Sequence, residues 1–93
     1  MNGKKLNIGL FGFGTVGRGL YDVLKRIGSK NVEIKRVCVR DLTKDRGVDV
    51  EFTDKADDIF NDPTINFIVE LIDDADAAYD IVKRALKAQL DVV

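Results

Sequence analysis

Along the chain, short apolar runs alternate with longer stretches in which apolar residues return every three or four positions. Residues 6–11 (LNIGLF) form a brief apolar run between Lys5 and the glycines that follow, which predicts a central strand buried on both faces. Residues 15–27 carry Val16, Leu20, Val23, Leu24 and Ile27, a spacing that predicts one apolar helical stripe. Gly28 and Ser29 stop that helix, and Lys25 and Arg26 stand where the helix dipole favours cations. Residues 32–39 (VEIKRVCV) read as a second strand, with Glu33, Lys35 and Arg36 projecting its first half into solvent. A polar loop over residues 41–50 contains Gly47, and a very short strand is expected at 51–53. Asp54 is placed to cap a short helix holding Ile59 and Phe60, which Pro63 ends with Asp62 extended before it. Residues 66–72 (NFIVELI) predict another buried strand. Residues 75–88 predict a helix with Ala78, Ile81, Val82, Ala85 and Leu86 on its apolar face, and residues 90–93 begin a last strand.

Strands that alternate with helices imply an α/β fold: a parallel sheet, right-handed crossovers and helices on both faces. The expected strand order is 3-2-1-4-5, with a ligand crevice beside the first strand, where the order reverses. Because the last strand begins so near residue 93, the sheet is expected to be incomplete at its C-terminal end.

Composition narrows the function. A chain of 93 residues holds one small domain, below the roughly 100–150 residues commonest for domains. Apolar residues at 45% and charged residues at 33% give a globular balance. A net charge of −1, with no long like-charge run, argues against nucleic acid as a partner. No apolar stretch is long enough for a membrane span, and the start MNGKKLNIGLFG, running straight into a strand pattern, argues against a signal peptide. The single cysteine, Cys38, excludes an internal disulfide and a cysteine-based metal site, and is expected to be inert core. With no histidine, the commonest zinc ligand and the commonest general base are missing, and no metal site is assigned. A reducing cytoplasm is the consistent setting.

The chemistry lies in Gly12-Phe13-Gly14-Thr15-Val16-Gly17, a G-x-G-x-x-G that leaves a predicted strand and opens an amphipathic helix. In that context Gly12 permits the tight turn, Gly14 lets the backbone approach a pyrophosphate, and Gly17 lets the helix pack close to the sheet. The free N–H groups and positive dipole end of the helix then hold the anion. This is the fingerprint of a Rossmann-type dinucleotide domain. A P-loop is excluded, since Arg18 and Gly19 stand where a Lys and a Ser or Thr are required.

The end of the second strand bears on cofactor choice. An acidic residue there suits NAD; this chain has Arg40 followed by Asp41. Arg40 is suited to a 2′-phosphate and to stacking on adenine, which points to NADP, or to dual use with Asp41 serving NAD. Lys44, Arg46 and Lys55 are either further phosphate ligands or surface charges. The loop Leu71-Ile72-Asp73-Asp74 is expected across the crevice, touching the nicotinamide ribose, unless Asp73 or Asp74 instead caps the next helix. Glu70 either bonds within the site or pairs with a basic neighbour. The phenylalanines show no stacking pattern and read as packing, apart from Phe13, which borders the cofactor from within the glycine turn.

Taken together, IGLFGFGTVGRGL (8–20), VCVRD (37–41) with RGV (46–48), DIFNDPTINFIVELI (58–72) and ALKAQLDVV (85–93) resemble the N-terminal cofactor domain of homoserine dehydrogenase. The resemblance implies a parent oxidoreductase that interconverts aspartate semialdehyde and homoserine with NAD(P)H, on the route to threonine, methionine and isoleucine. It implies that Gly12, Phe13, Gly14, Thr15, Val16 and Gly17 contact the dinucleotide phosphates, Arg40 the 2′-phosphate, and Ile72 and Asp73 the nicotinamide ribose. It further implies that residues 1–93 are a fragment that binds cofactor. The substrate, the catalytic lysine of a Thr-Ala-Asn-Lys stretch and the homo-oligomer contacts would then belong to the rest of the parent. Asp73-Asp74 stand where the family often has Gly-Gly. The rival readings are the cofactor domain of another NAD(P) oxidoreductase, of the glucose–fructose type or dihydrodipicolinate reductase, a nucleotide-sensing module without turnover, and an incomplete sheet that binds nothing.

Overall fold

At the centre of the sheet lies β1 (Leu6–Phe11), paired on one side with β2 (Val32–Cys38) and on the other with β4 (Phe67–Glu70). The short β3 (Glu51–Thr53) and β5 (Asp91–Val92) form the edges, all pairs are parallel, and the order is β3-β2-β1-β4-β5, as the alternation predicts. The structure is a computed structural model that describes residues 5–93. Residues 1–4, the start of the segment read as running straight into the first strand, lie outside the described residues. No helix among the described residues is long and apolar enough to cross a membrane.

Helices cover both faces. On one face α1 (Thr15–Ile27) packs Leu20, Tyr21 and Leu24 over Ile8, Leu10, Ile34, Val37, Val39 and Val69. On the other, α2 (Asp57–Phe60) and α3 (Ala75–Lys87) bring Ile59, Ile81 and Ala85 onto Phe11 and Ile68. The glycine inside β1 explains how close α2 comes: a Cβ on Gly9 would stand 2.5 Å from Ile59 Cγ2 and 3.2 Å from Ile65 Cγ2.

The second strand departs from its predicted alternation. Ile8 pairs with Ile34 but Gly9 pairs with Arg36, so Lys35 is an extra residue, a β-bulge in a parallel pair. The bulge resets the pleat, which lets Ile34 and Val37, three positions apart, enter the same core. It also swings Arg36 over the sheet edge toward Glu51 (3.2 Å) and Asp62 (3.5 Å). Arg36 is therefore half-buried and paired, and of the three charges expected in solvent only Glu33 is exposed, where it pairs with Lys5 at 2.7 Å. Where β1 and β4 begin, Asn66 extends their pairing: Asn7 N–H donates to its side-chain oxygen (2.9 Å), and its Nδ2 donates to the Lys5 carbonyl (2.9 Å).

Three more expectations change. The packed face of α1 is Gly17, Leu20, Tyr21 and Leu24, because Gly17 sits at the closest approach to the glycine turn. Val16, Val23 and Ile27 stay exposed. Leu86 likewise points away from the core, which takes Ile81 and Ala85 from α3. Asp54 does not cap α2; Ala56 occupies that position, and Thr53 Oγ1 takes the Lys55 N–H (3.1 Å) while bonding the Asp58 carboxylate.

Since Ile59 is β-branched and fully enclosed, it has little room to yield to a new methyl at position 9. Gly9→Ala is expected to lower the unfolding free energy by about 1–3 kcal/mol, read as a lower urea midpoint at unchanged slope. An unmoved midpoint would mean that α2 slides on the sheet freely.

Candidate functional site

The carboxyl ends of β1, β2 and β4 open into a cleft of about 1000 Å³, bordered by the glycine turn, the β2–β3 loop and the β4–α3 turn. A smaller concavity of about 390 Å³ lies at the opposite end of α1, around Lys25, Gly28 and Glu33, away from the glycine motif.

Main-chain contacts dictate the glycines. Gly12 has φ +94°, where side chains are strained, and a Cβ on it would stand 2.8 Å from the Leu71 carbonyl oxygen. Its N–H donates to the Cys38 carbonyl (2.9 Å), while Leu71 N–H donates to the Phe11 carbonyl (2.8 Å), so the turn is stitched to both neighbours of β1. A Cβ on Gly17 would come within 2.9 Å of the Gly12 carbonyl oxygen, so α1 can sit this close only with glycine there. Gly14 is different: a Cβ on it would meet nothing within 4 Å. Its place is open toward the cleft, and no contact inside the protein asks for a glycine.

Beyond Gly12, the N–H groups of Phe13, Gly14, Thr15, Val16 and Gly17 have no acceptor among the described residues. No side chain caps α1, and its first turn holds no acid. The N-terminus of α3 is the reverse case. Asp74 accepts from Asp76 N–H (2.9 Å) and Ala77 N–H (3.3 Å), and Asp76 adds a second carboxylate. Two helix dipoles thus open near one cleft, one neutralised by its own sequence and one left for an outside anion. Capping by one of the Asp73-Asp74 pair is met by Asp74, whose carboxylate is drawn toward its own helix; Asp73 remains exposed on the cleft wall beside half-buried Ile72. Glu70 takes the first of its two expected roles: its Oε2 accepts the Ile72 N–H at 2.6 Å and fixes the turn out of β4.

At the end of β2, Arg40 is exposed on the cleft wall with no carboxylate in pairing distance among the described residues. Asp41 is engaged: its Oδ1 accepts from Thr43 Oγ1 (2.6 Å) and Thr43 N–H (2.9 Å). The Thr43 hydroxyl, then the Thr43 N–H, with Arg46 and Lys44 nearby, hold that carboxyl below the usual range. Lys44 and Arg46 also line the cleft; Lys55 does not, because the Thr53 turn carries it away.

Two residues contribute in ways the sequence did not announce. Phe13 turns its ring into the α1-side core, edge to face with Phe52 at 5.4 Å and with Tyr21 at 6.1 Å, so it borders the cleft chiefly through its main chain. Phe11 also stacks on Phe60 at 5.6 Å, so the phenylalanines do pair, through partners far apart in sequence. Cys38 reaches the cleft wall but stays a thiol. Burial pushes its pKa up, and Asp54 and Asp58 add to the effect, in keeping with an inert role.

Comparison with known proteins adds a family to this geometry. Residues 12–93 match the family model for homoserine dehydrogenase, NAD binding domain. Homoserine dehydrogenase of Methylobacillus glycogenes is 37% identical over 100 residues, covering 97% of this chain and 24% of that protein. The Helicobacter pylori homoserine dehydrogenase is 31% identical over 93 residues, covering 92% of this chain and 22% of that protein. The crystal structure of S. aureus homoserine dehydrogenase at pH 8.5 has a TM-score of 0.85 at 32% identity, covering 96% of this chain and 25% of that one. The chain spans about a quarter of the length of these relatives.

The contrast between the two helix starts can be measured. Asp74→Ala removes the cap of α3 and is expected to cost about 1 kcal/mol of stability, seen as a lower urea midpoint. Asp74→Asn, which keeps an accepting oxygen, should recover most of it; equal losses in both variants would assign Asp74 some role other than capping.

Proposed function

Since the chain belongs to the homoserine dehydrogenase family and carries its NAD-binding domain, we propose that the cleft binds NAD(P) with the pyrophosphate on the glycine turn. The observation that carries this reading is the open bend itself: N–H groups from Phe13 to Gly17 with no acceptor among the described residues, and a Gly14 that no internal contact requires. A diphosphate fits that donor set, since it supplies the negative charge the α1 dipole lacks and needs a main chain without Cβ at the point of approach. Gly12 and Gly17 shape the bend, and Phe13, Gly14, Thr15, Val16 and Gly17 present the donors. Ile72 and Asp73, opposite, border the nicotinamide ribose.

On the cofactor, the free Arg40 beside an Asp41 already held by Thr43 favours NADP over NAD. When bound, the cofactor supplies or accepts the hydride; this chain's residues bind it, orient it and neutralise its phosphates. The parent activity we infer is the interconversion of aspartate semialdehyde and homoserine. Residues 1–93 act there as the cofactor domain, and the residues that bind and convert the substrate belong to another part of the protein. A reducing cytoplasm, where Cys38 remains a thiol, is the setting we assign.

Gly14→Ala should change the unfolding free energy by no more than about 1 kcal/mol, the cost of alanine at an N-cap, because the new methyl meets nothing. It should still weaken NADPH and NADH binding together by about tenfold or more, measured by calorimetry or NMR titration. Undiminished binding in that variant would falsify the pyrophosphate placement. Arg40→Ala should remove most of an NADPH preference of about tenfold, with little change for NADH. Equal affinities for the two cofactors in the unaltered chain would refute the Arg40 assignment and leave the glycine turn untouched.

A further inference from the structure

The cleft wall next to Arg40 is made by the loop of residues 41–49, and one side chain holds that loop in shape. Arg46 folds back so that its Nη1 donates to the carbonyl oxygens of Asp41 (2.9 Å) and Lys44 (3.3 Å). The guanidinium carbon lies 5.3 Å from the centre of the Phe52 ring, and Phe52 meets Phe13 of the glycine turn. From α1, Arg18 Nη1 donates to the Arg46 carbonyl at 2.8 Å. Asp49 N–H also donates to the Tyr21 hydroxyl of α1 at 3.4 Å, so the loop is tied at three points to the glycine turn and the helix it opens.

Chemistry separates Arg46 from the other cations of this wall. Part of its donor set is spent on main-chain carbonyls and one face is turned to an aromatic ring, as in a staple. Two of the loop's three acids are spent as well: Asp41 on Thr43, and Asp45 on the Gly47 N–H (2.9 Å). Arg40 and Lys44 have no carboxylate in pairing distance among the described residues.

We infer that Arg46 is a positioning residue for cofactor choice: by closing the loop onto Phe52 it holds Arg40 and Lys44 where a 2′-phosphate lies, without contacting the phosphate itself. The inference rests on the NADP reading of Arg40. It makes the NADPH preference a property of a folded loop, with Arg18 as its outer tether.

The test is a set of calorimetric NADPH and NADH titrations on the unaltered chain, Arg46→Lys, Arg46→Met, Arg40→Ala and the Arg40→Ala/Arg46→Met double variant. Both Arg46 variants are expected to cut the NADPH-to-NADH affinity ratio by about fivefold or more, because lysine keeps the charge but not the planar fork. NADH affinity should stay within about twofold. The double variant should lose less preference than the two single losses combined, since Arg46 acts through Arg40 as well as Lys44. Amide exchange over residues 41–49 of the cofactor-free protein should speed up in both Arg46 variants. Arg18→Gln, which cuts only the outer tether, should move the ratio the same way and serves if an Arg46 variant does not fold. A wild-type ratio in Arg46→Lys, or fully additive losses in the double variant, would make Arg46 a direct charge contact and overturn the inference. A normal preference that survives Arg46→Met and Arg18→Gln overturns it alone; no preference in the unaltered chain takes the Arg40 reading with it.

Discussion

Everything in this molecule depends on a place where main chain touches main chain. Gly12 lies against the Leu71 carbonyl and Gly17 against the Gly12 carbonyl, at distances that leave no room for a Cβ. That contact draws the start of α1 down onto the ends of the central strands, and the direction of the helix follows from it. Because the helix begins without a cap and without an acid in its first turn, its donors face the cleft unanswered. The polar cost of that arrangement is borne in water until an anion arrives.

Charge is distributed with the same logic across the cleft. The acids around it are mostly occupied: Asp74 by its own helix, Glu70 by the Ile72 N–H, Asp41 by Thr43. An acidic group tied into a turn keeps its charge but loses the freedom to seek other cations. Arg40 has no carboxylate in pairing distance among the described residues, so its guanidinium is open to an outside anion. Asp54 and Asp73 are the exceptions, exposed carboxylates on the cleft lining with no partner among the described residues.

Much of this was legible in the sequence, and the parts that were not share a cause. The glycine turn and a cap at Asp73-Asp74 follow from local rules, since each is decided within a few residues of the chain, and the strand order follows from the alternation of strands and helices with right-handed crossovers. The packed face of α1 was not legible. Its apolar residues cover a wide arc, and only the seat of Gly17 decides that Tyr21 turns inward while Val16, Val23 and Ile27 turn out. The pairings of Phe13 with Phe52 and of Arg36 with Asp62 join segments many residues apart, and no periodicity encodes them. Lys55 looked like Lys44 in the sequence; a hydroxyl on Thr53 turned it away.

The extra residue in β2 has a consequence for how this strand can change length. Because Lys35 stands outside the regular pleat, its removal would leave Ile34 and Val37 on the side they already occupy, now by plain alternation. Loss of a residue from the regular pleat between Arg36 and Arg40 would instead turn part of the strand over, setting Arg40 and the loop after it on the wrong side of the sheet. Position 35 is therefore a point in the strand where a deletion keeps the pleat, and homologous chains that lack this residue should keep the same cleft.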